Sequence, residues 1–424
     1  MGKLAVNGGT KTIISPFPRY NSIGNEEKLA VQAVLDSGNL SGFFGSWREG
    51  FLGGPKVREF EQAWAEHFKV KYAVSFNSLT SGLIGAVGAL GIEPGDEVIV
   101  SPNTMCATAD AVLFWNAIPV FADIEEDTFN LDPASVVKNI TPLTKAIIVT
   151  NIFGHPAHLD EIMTIAREHN LLVIEDNAQS PDALYHGQYA GTIGQIGGFS
   201  FNYHKHIHTG EGGIMITNDA KLAERMQLIR NHAEAVVGGK GVTDLNNMIG
   251  FNFRLGEMEA AIGCEQIKKL TPVVSHITNV GNRLSEALKD LPGLVVPKVE
   301  TDCTNVYYRY AMKIKSDIIG VSRDKIIVAL EAEGTPRVYP GYELLYWYPL
   351  YQQKIVYGSK GFPWNPENYQ GHVSYAHGIC PVAERMQHQE VISLQLPEHN
   401  YTVEEVDLVI KAFKKVWDNL NELK

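Results

Sequence analysis

Cysteine is scarce in this chain. Cys106, Cys264, Cys303 and Cys380 are the four among 424 residues, and no two form a Cys-x-x-Cys pair. Thiols so far apart read as free ones in a cytoplasmic setting, not as a disulfide framework. Basic blocks are missing too: 36 Lys and Arg face 48 Asp and Glu, a net charge of -12. That balance argues against nucleic acid as the main partner. No apolar run is long enough to span a membrane. The opening Met1-Gly-Lys-Leu-Ala-Val6 lacks the cationic and apolar layout of a signal peptide, and Val6 stands where myristoylation needs Ser or Thr. What remains is 45% hydrophobic and 20% charged, enough for a large core and two domains. A soluble cytoplasmic enzyme is expected.

Residues 1–25 read as an arm, with Gly8-Gly9, Pro16 and Pro18 breaking any periodicity. Helices are predicted over 26–37 and 57–68. Between them a glycine-rich loop, 38–54, carries Phe43, Phe44, Trp47 and Phe51, aromatics that need covering, for instance at a subunit interface. Strands are then predicted over 72–76, 97–100, 119–122, 146–149, 172–174, 196–201 and 214–217, with helices over 80–90, 104–115 and 158–169. Short apolar strands separated by helices imply an α/β fold, with a mostly parallel sheet covered on both faces. Ligands of such sheets sit beyond the carboxyl ends of the strands.

Three strand ends stand out: after Phe76, after Val100, where Thr104 and Met105 follow, and after Ile174. After Phe76, the small polar run Asn77 to Gly82 leads into a helix, whose free N–H groups and dipole suit a phosphate, although an ordinary cap has the same appearance. After Ile174 come Glu175 and Asp176; an Asp there could hold a proton on a heterocyclic nitrogen, or cap a helix, or join a salt bridge. Between the last two strands, Lys205 lies among aromatics and histidines ahead of Gly210-Glu-Gly-Gly213. Desolvation on such a loop lowers an amine's pKa and frees its lone pair for attack on an aldehyde, the condition for a Schiff base.

Phosphate cradle, strand-end Asp and loop Lys, in that order, resemble the pyridoxal-phosphate enzymes of the aspartate aminotransferase fold. The closer similarity is to the DegT/DnrJ/StrS sugar aminotransferases. Asn77 to Leu83 resembles the family's Asn-Ser-Gly-Thr-Ala-Ala-Leu, and Asp96 to Ser101 its Asp-Glu-Val-Ile-Val-Pro. Pro119 to Asp123, Ile174 to Gln179, Ser200-Phe-x-x-x-Lys205 with Gly210 to Gly213, and Gly250 to Leu255 followed by Glu259 to Gly263 are similar as well. The resemblance spans nearly the whole chain. It implies pyridoxal 5'-phosphate as cofactor, a large domain over 1–265 with the arm, and a smaller C-terminal α+β domain over 266–424.

The same resemblance implies roles. Lys205 would bind the cofactor aldehyde covalently and then shuttle the proton, and Asp176 would keep the ring nitrogen protonated. Ser200, Thr80 and the Ser81 backbone would hold the phosphate, and Gln179 would lie by the ring. Asn252 would reach the phosphate of a neighbouring subunit in a homodimer with shared active sites. Met105 stands where the family usually stacks an aromatic, so looser stacking is expected. Leu79 replaces a common Gly, so the phosphate turn should differ. Dehydratase relatives carry His in place of the catalytic Lys; Lys205 argues for amino transfer.

His204, His206 and His208, spaced by two, would share one side of a strand, where three imidazoles can bind zinc. No carboxylate or cysteine completes the set and the cofactor chemistry needs no metal, so substrate contact or packing is expected and no metal site. Further on, helices are predicted over 265–291, 322–333 and 403–420, the last opened by a Thr402–Glu405 capping box, and a strand over 305–314. The aromatic segment 337–380 (Tyr339, Tyr342, Tyr346, Trp347, Tyr348, Tyr351, Trp364) reads as a packed excursion or a substrate wall, since aromatic faces pack on sugar C–H surfaces. Family members acting on cyclitols can also be long here. The expected activity is transfer of an amino group from glutamate or glutamine to a keto-sugar, nucleotide-linked or free, or to a keto-cyclitol. Against it stand a sugar dehydratase and a non-catalytic sugar-binding regulator; Lys205 and Asp176 together favour catalysis. A nicotinamide dehydrogenase is disfavoured, because no Gly-x-Gly-x-x-Gly follows the first strand.

Overall fold

The computed structural model describes residues 2–424. Its centre is a seven-stranded sheet of β1 (Tyr72–Phe76), β2 (Glu97–Val100), β3 (Ile118–Phe121), β4 (Thr144–Thr150), β5 (Leu172–Asp176), β8 (Ile196–Ser200) and β9 (Gly213–Thr217). A small hairpin, β6 (Leu184–Tyr185) and β7 (Gln188–Tyr189), lies between β5 and β8. The strand order is β1-β9-β8-β5-β4-β2-β3, and β9 alone runs against the rest. Val98, Ile99, Val100, Ile147, Ile148 and Val149 are all at 0% exposure, so these strands are buried on both faces. Their near-continuous apolar runs are what a parallel sheet covered on both faces requires.

Helices α1 (Asn25–Ser37), α2 (Pro55–Phe68), α3 (Leu79–Ala89), α4 (Ala107–Phe114), α5 (Pro133–Asn139), α6 (Leu159–His169), α7 (Ala220–Arg230) and α8 (Ala233–Lys240) surround the sheet or pack on its neighbours. Of these, α5, α7 and α8 have no counterpart in the sequence reading. The long helix α9 spans Glu257–Leu288, starting eight residues before the predicted 265. Its first residue explains the difference: buried Glu257 accepts the N–H groups of Lys56 (2.9 Å) and Val57 (3.2 Å), capping α2 from a distance. A charged residue used for remote capping breaks the apolar period on which the prediction relied.

A second, antiparallel sheet has the order β10 (Leu294–Val295), β11 (Tyr310–Ile314), β13 (Val391–Leu394), β12 (Val338–Tyr339). The strand predicted from 305 begins only at Tyr310, because Tyr307 takes a left-handed φ of 47° that no pleat accommodates. Helices Arg323–Ala332 and Val403–Asp418 cover this sheet, and the Thr402–Glu405 capping box is present. Leu4 and Ile13 of the N-terminal arm insert into this second core. In the opposite direction, Leu344, Leu345, Tyr346, Tyr351 and Trp364 pack into the core of the large sheet. Among the described residues no helix is long and apolar enough to cross a membrane.

Candidate active site

The carboxyl ends of β1, β5 and β8 open into a cleft of about 730 Å³. Helix α3 starts at its edge. Ser78 caps that helix, its Oγ accepting the Ser81 N–H at 3.1 Å and lying 3.0 Å from Ser81 Oγ. The helix start rests directly on Gly213: a Cβ there would meet Leu79 N at 2.3 Å, so only glycine permits the approach. The Gly-Glu-Gly-Gly turn is thus read out as room for a helix N-terminus. Leu79, the family departure, is a buried first helical residue whose side chain lies over Gly198.

Asp176 ends β5 and is 3% exposed. Its Oδ2 accepts from Thr108 Oγ1 (2.9 Å) and its Oδ1 from Ala178 N (3.1 Å). Burial pushes its carboxyl above the usual carboxylate range, against the pull of those bonds and of the Lys205 charge. Its neighbour Glu175 faces away and is saturated by the N–H groups of Gly191 (2.6 Å), Ile193 (2.8 Å) and Gly194 (2.7 Å) and by Asn151 (3.2 Å). Lys205 faces Asp176 across the cleft without forming an ion pair, its Nζ 4.3 Å from the centre of the Tyr308 ring. Burial lowers this amine to about 8; Asp176 opposes the shift and Arg309 adds to it. Gln179 is held at both ends, its Oε1 accepting from Phe153 N (2.9 Å) and its Nε2 donating to Tyr342 Oη (3.3 Å).

Six of the eight residues singled out by sequence line this cleft: Thr80, Met105, Asp176, Gln179, Ser200 and Lys205. Met105, 57% exposed, sits at the rim. Ser81 lies behind the wall with its N–H given to Ser78, and Ser78 and Leu79 line the cleft there. Asn252 is outside the cleft and exposed, its Oδ1 accepting from Arg254 Nε at 2.7 Å. The three histidines do not share a strand side as expected, because residues 203–207 form turns and bends, not a strand. His206 is fully buried with Nε2 2.9 Å from Val306 O, His204 lines the cleft, and His208 faces a groove with Arg19 and Tyr20. Burial lowers His204 and His206 to about 4. Of the aromatic segment, Tyr342 alone lines the cleft; Tyr346, Tyr351 and Trp364 are core. Thr108, Tyr308 and Arg309 were read only as parts of a helix and a strand, since nothing in their local pattern distinguishes them from packing residues.

The cleft fits pyridoxal phosphate. Buried Asp176 has no cation in ion-pair contact among the described residues, a lack that a protonated ring nitrogen would answer. Ser78, Thr80 and Ser200 gather at a helix N-terminus, suited to a dianion.

The sequence model of the DegT/DnrJ/EryC1/StrS aminotransferase family matches residues 21–414. The chain is 32% identical to the L-glutamine:2-deoxy-scyllo-inosose aminotransferase of Micromonospora echinospora, with 100% of each chain covered. It is 38% identical to the GDP-perosamine synthase of Caulobacter vibrioides over 66% of this chain and 74% of that one. The solved aminotransferase of Psychrobacter cryohalolentis superposes with a TM-score of 0.80 at 30% identity, covering 96% of this chain and 100% of that one.

Proposed function

We propose, for a chain that belongs to the DegT/DnrJ/EryC1/StrS aminotransferase family, that the amino acceptor is a keto-cyclitol free of any nucleotide and the donor is L-glutamine. The chain is a pyridoxal-phosphate-dependent aminotransferase of amino-sugar or amino-cyclitol biosynthesis. One observation carries the narrower reading. The sequence similarity to the cyclitol aminotransferase runs over the full length of both chains, whereas that to the GDP-sugar enzyme covers two thirds of this one.

When bound, the cofactor withdraws electrons from the carbon that gains or loses the amino group. The protein's part is to bind, orient and move one proton. Lys205, with an amine near neutrality at about 8, is suited to covalent attachment and then to carrying the proton at the reacting carbon. Asp176, fixed by Thr108 and Ala178, would hold the ring nitrogen in its protonated state. Ser78, Thr80 and Ser200 would take the phosphate, and Gln179, clamped by Phe153 and Tyr342, would set the ring's outer edge.

The phosphate site would be completed by Asn252 of a second copy. Support comes from its exposure outside its own cleft and from Phe44 (44% exposed) and Trp47 (46% exposed), apolar surface on the loop expected to be covered. In a shared-site dimer, mixing Lys205→Ala with Asn252→Ala under subunit exchange leaves one site of each mixed dimer intact, so activity recovers towards half of the wild-type value per mixed dimer. No recovery despite confirmed exchange would assign each site to one chain. All four cysteines are free, which supports a cytoplasmic location, testable by cell fractionation.

The acceptor is tested by incubating the holoenzyme with L-glutamine and a panel of keto-cyclitols and nucleotide-linked keto-sugars, with products weighed by mass spectrometry. Amination of a cyclitol at a rate well above every nucleotide sugar is the expected result. Preference for a nucleotide sugar would overturn the narrower reading and leave the aminotransferase intact.

A further inference from the structure

Arg309 is a buried cation without an anion. The residue is 8% exposed, its Nη1 reaches only Ser393 Oγ at 3.4 Å, and its Nε is buried with no hydrogen-bond partner. Among the described residues, no carboxylate pairs with it and Nη2 makes no hydrogen bond. A guanidinium in that state normally recovers its desolvation cost from an acid. Instead it is gripped by rings, 4.5 Å from the centre of Tyr339 and 4.8 Å from that of Tyr342, while exposed Arg337 stands 4.7 Å from Tyr339. The free edge, Nε with Nη2, is the fork that takes a carboxylate through two parallel hydrogen bonds.

The guanidinium lies behind the cleft wall, against the Tyr342 ring, and is not itself a lining residue, so a ligand reaches that edge only past Tyr342. Tyr342 lines the cleft, holds Gln179 and lies parallel to Phe153 at 6.3 Å. Tyr308, the preceding residue, carries the Lys205 amine over its ring. In an amino-acid donor the carboxylate is one bond from the carbon that bears the amine, so an anion held beside Lys205 matches a donor better than a diphosphate reaching out to a nucleoside. A cyclitol has no such charge. One cleft must therefore serve an anionic and a neutral substrate in turn, and stacking keeps the cation packed while the neutral one is bound.

We propose that Arg309, gripped between Tyr339 and Tyr342, receives the α-carboxylate of the amino-acid donor and is bypassed by the acceptor. The inference rests on the aminotransferase reading with an amino-acid donor. It is tested on the holoenzymes of wild type, Arg309→Gln and Arg309→Lys, with melting temperatures recorded for each. Each is titrated with α-methyl-L-glutamine, which cannot lose an α-proton, with an aminocyclitol and with GDP, following the cofactor's visible band for the first two and heat for the last. Arg309→Gln should weaken the glutamine analogue roughly 10- to 100-fold, the range for hydrogen bonds to a charged group, and Arg309→Lys should restore part of it. Aminocyclitol affinity should change much less. Equal affinity of wild type and Arg309→Gln for the analogue overturns the proposal, as does selective loss of GDP binding, which would make the anion a nucleotide diphosphate. If Arg309→Gln does not fold, the Lys variant decides: its affinity for the analogue must fall and its aminocyclitol affinity must not. A wild type that answers the aminocyclitol but no α-amino acid removes the donor assignment and Arg309 with it. A wild type that answers neither removes the aminotransferase reading itself.

Discussion

The floor of the cleft and the aromatic wall beside it use similar residue types to opposite ends. On the floor, Asp176 and Lys205 are held in place yet left without full partners, and both have their ionisation shifted by burial. In the wall, Tyr346, Tyr369 and Tyr375 spend their polar groups internally, although Trp347 Nε1 and Tyr351 Oη are buried without a partner. Tyr346 donates to Glu384 and Tyr369 to Glu97; Tyr375 donates to the carbonyl of Pro119 (2.8 Å) while accepting from Trp364 Nε1 (3.0 Å). Asp123 accepts the N–H groups of Val382 and Ala383, both at 2.9 Å, fastening the end of the segment to the sheet. A charged group left short of partners beside a cleft points to chemistry, and a saturated one to architecture.

The sharpest way to break this contrast is Asp176→Asn. The amide keeps the shape but not the charge, so the fold should stand while the donor half-reaction slows about 10²- to 10³-fold, the scale of losing one preorganised electrostatic group. Stopped-flow spectroscopy of the cofactor band, beside a melting curve, checks both halves. Near wild-type rates would put Asp176 with the structural acids. The wall should behave in reverse. Tyr375→Phe strands the Trp364 indole N–H and the Pro119 carbonyl in the core, and a denaturant midpoint should report a loss of about 1–3 kcal/mol. Turnover per folded molecule should not change; a fall in rate without a fall in stability would make the wall part of the site.

The same contrast explains what could be read in advance. The strands were legible because burial on both faces demands unbroken apolar runs, and the Lys205 turn because it needs glycines where Gly213 meets Leu79. The wall was not. Its aromatics fill gaps against Phe121 and the β3 edge with no period, and sequence alone could not tell Tyr342, which enters the cleft, from Tyr346, which does not. Arg309 was hidden for another reason: the missing partner that marks it is a fact of three dimensions. The histidine triplet misled because a spacing of two signals one face only in a strand.

The central claim is that this cleft holds the cofactor on Lys205. The direct measurement is borohydride reduction of the purified holoenzyme, loss of its visible band, and mass-spectrometric mapping of the modified lysine. The account predicts a single adduct on the peptide bearing Lys205, lost in Lys205→Ala. An adduct on any other lysine would contradict it.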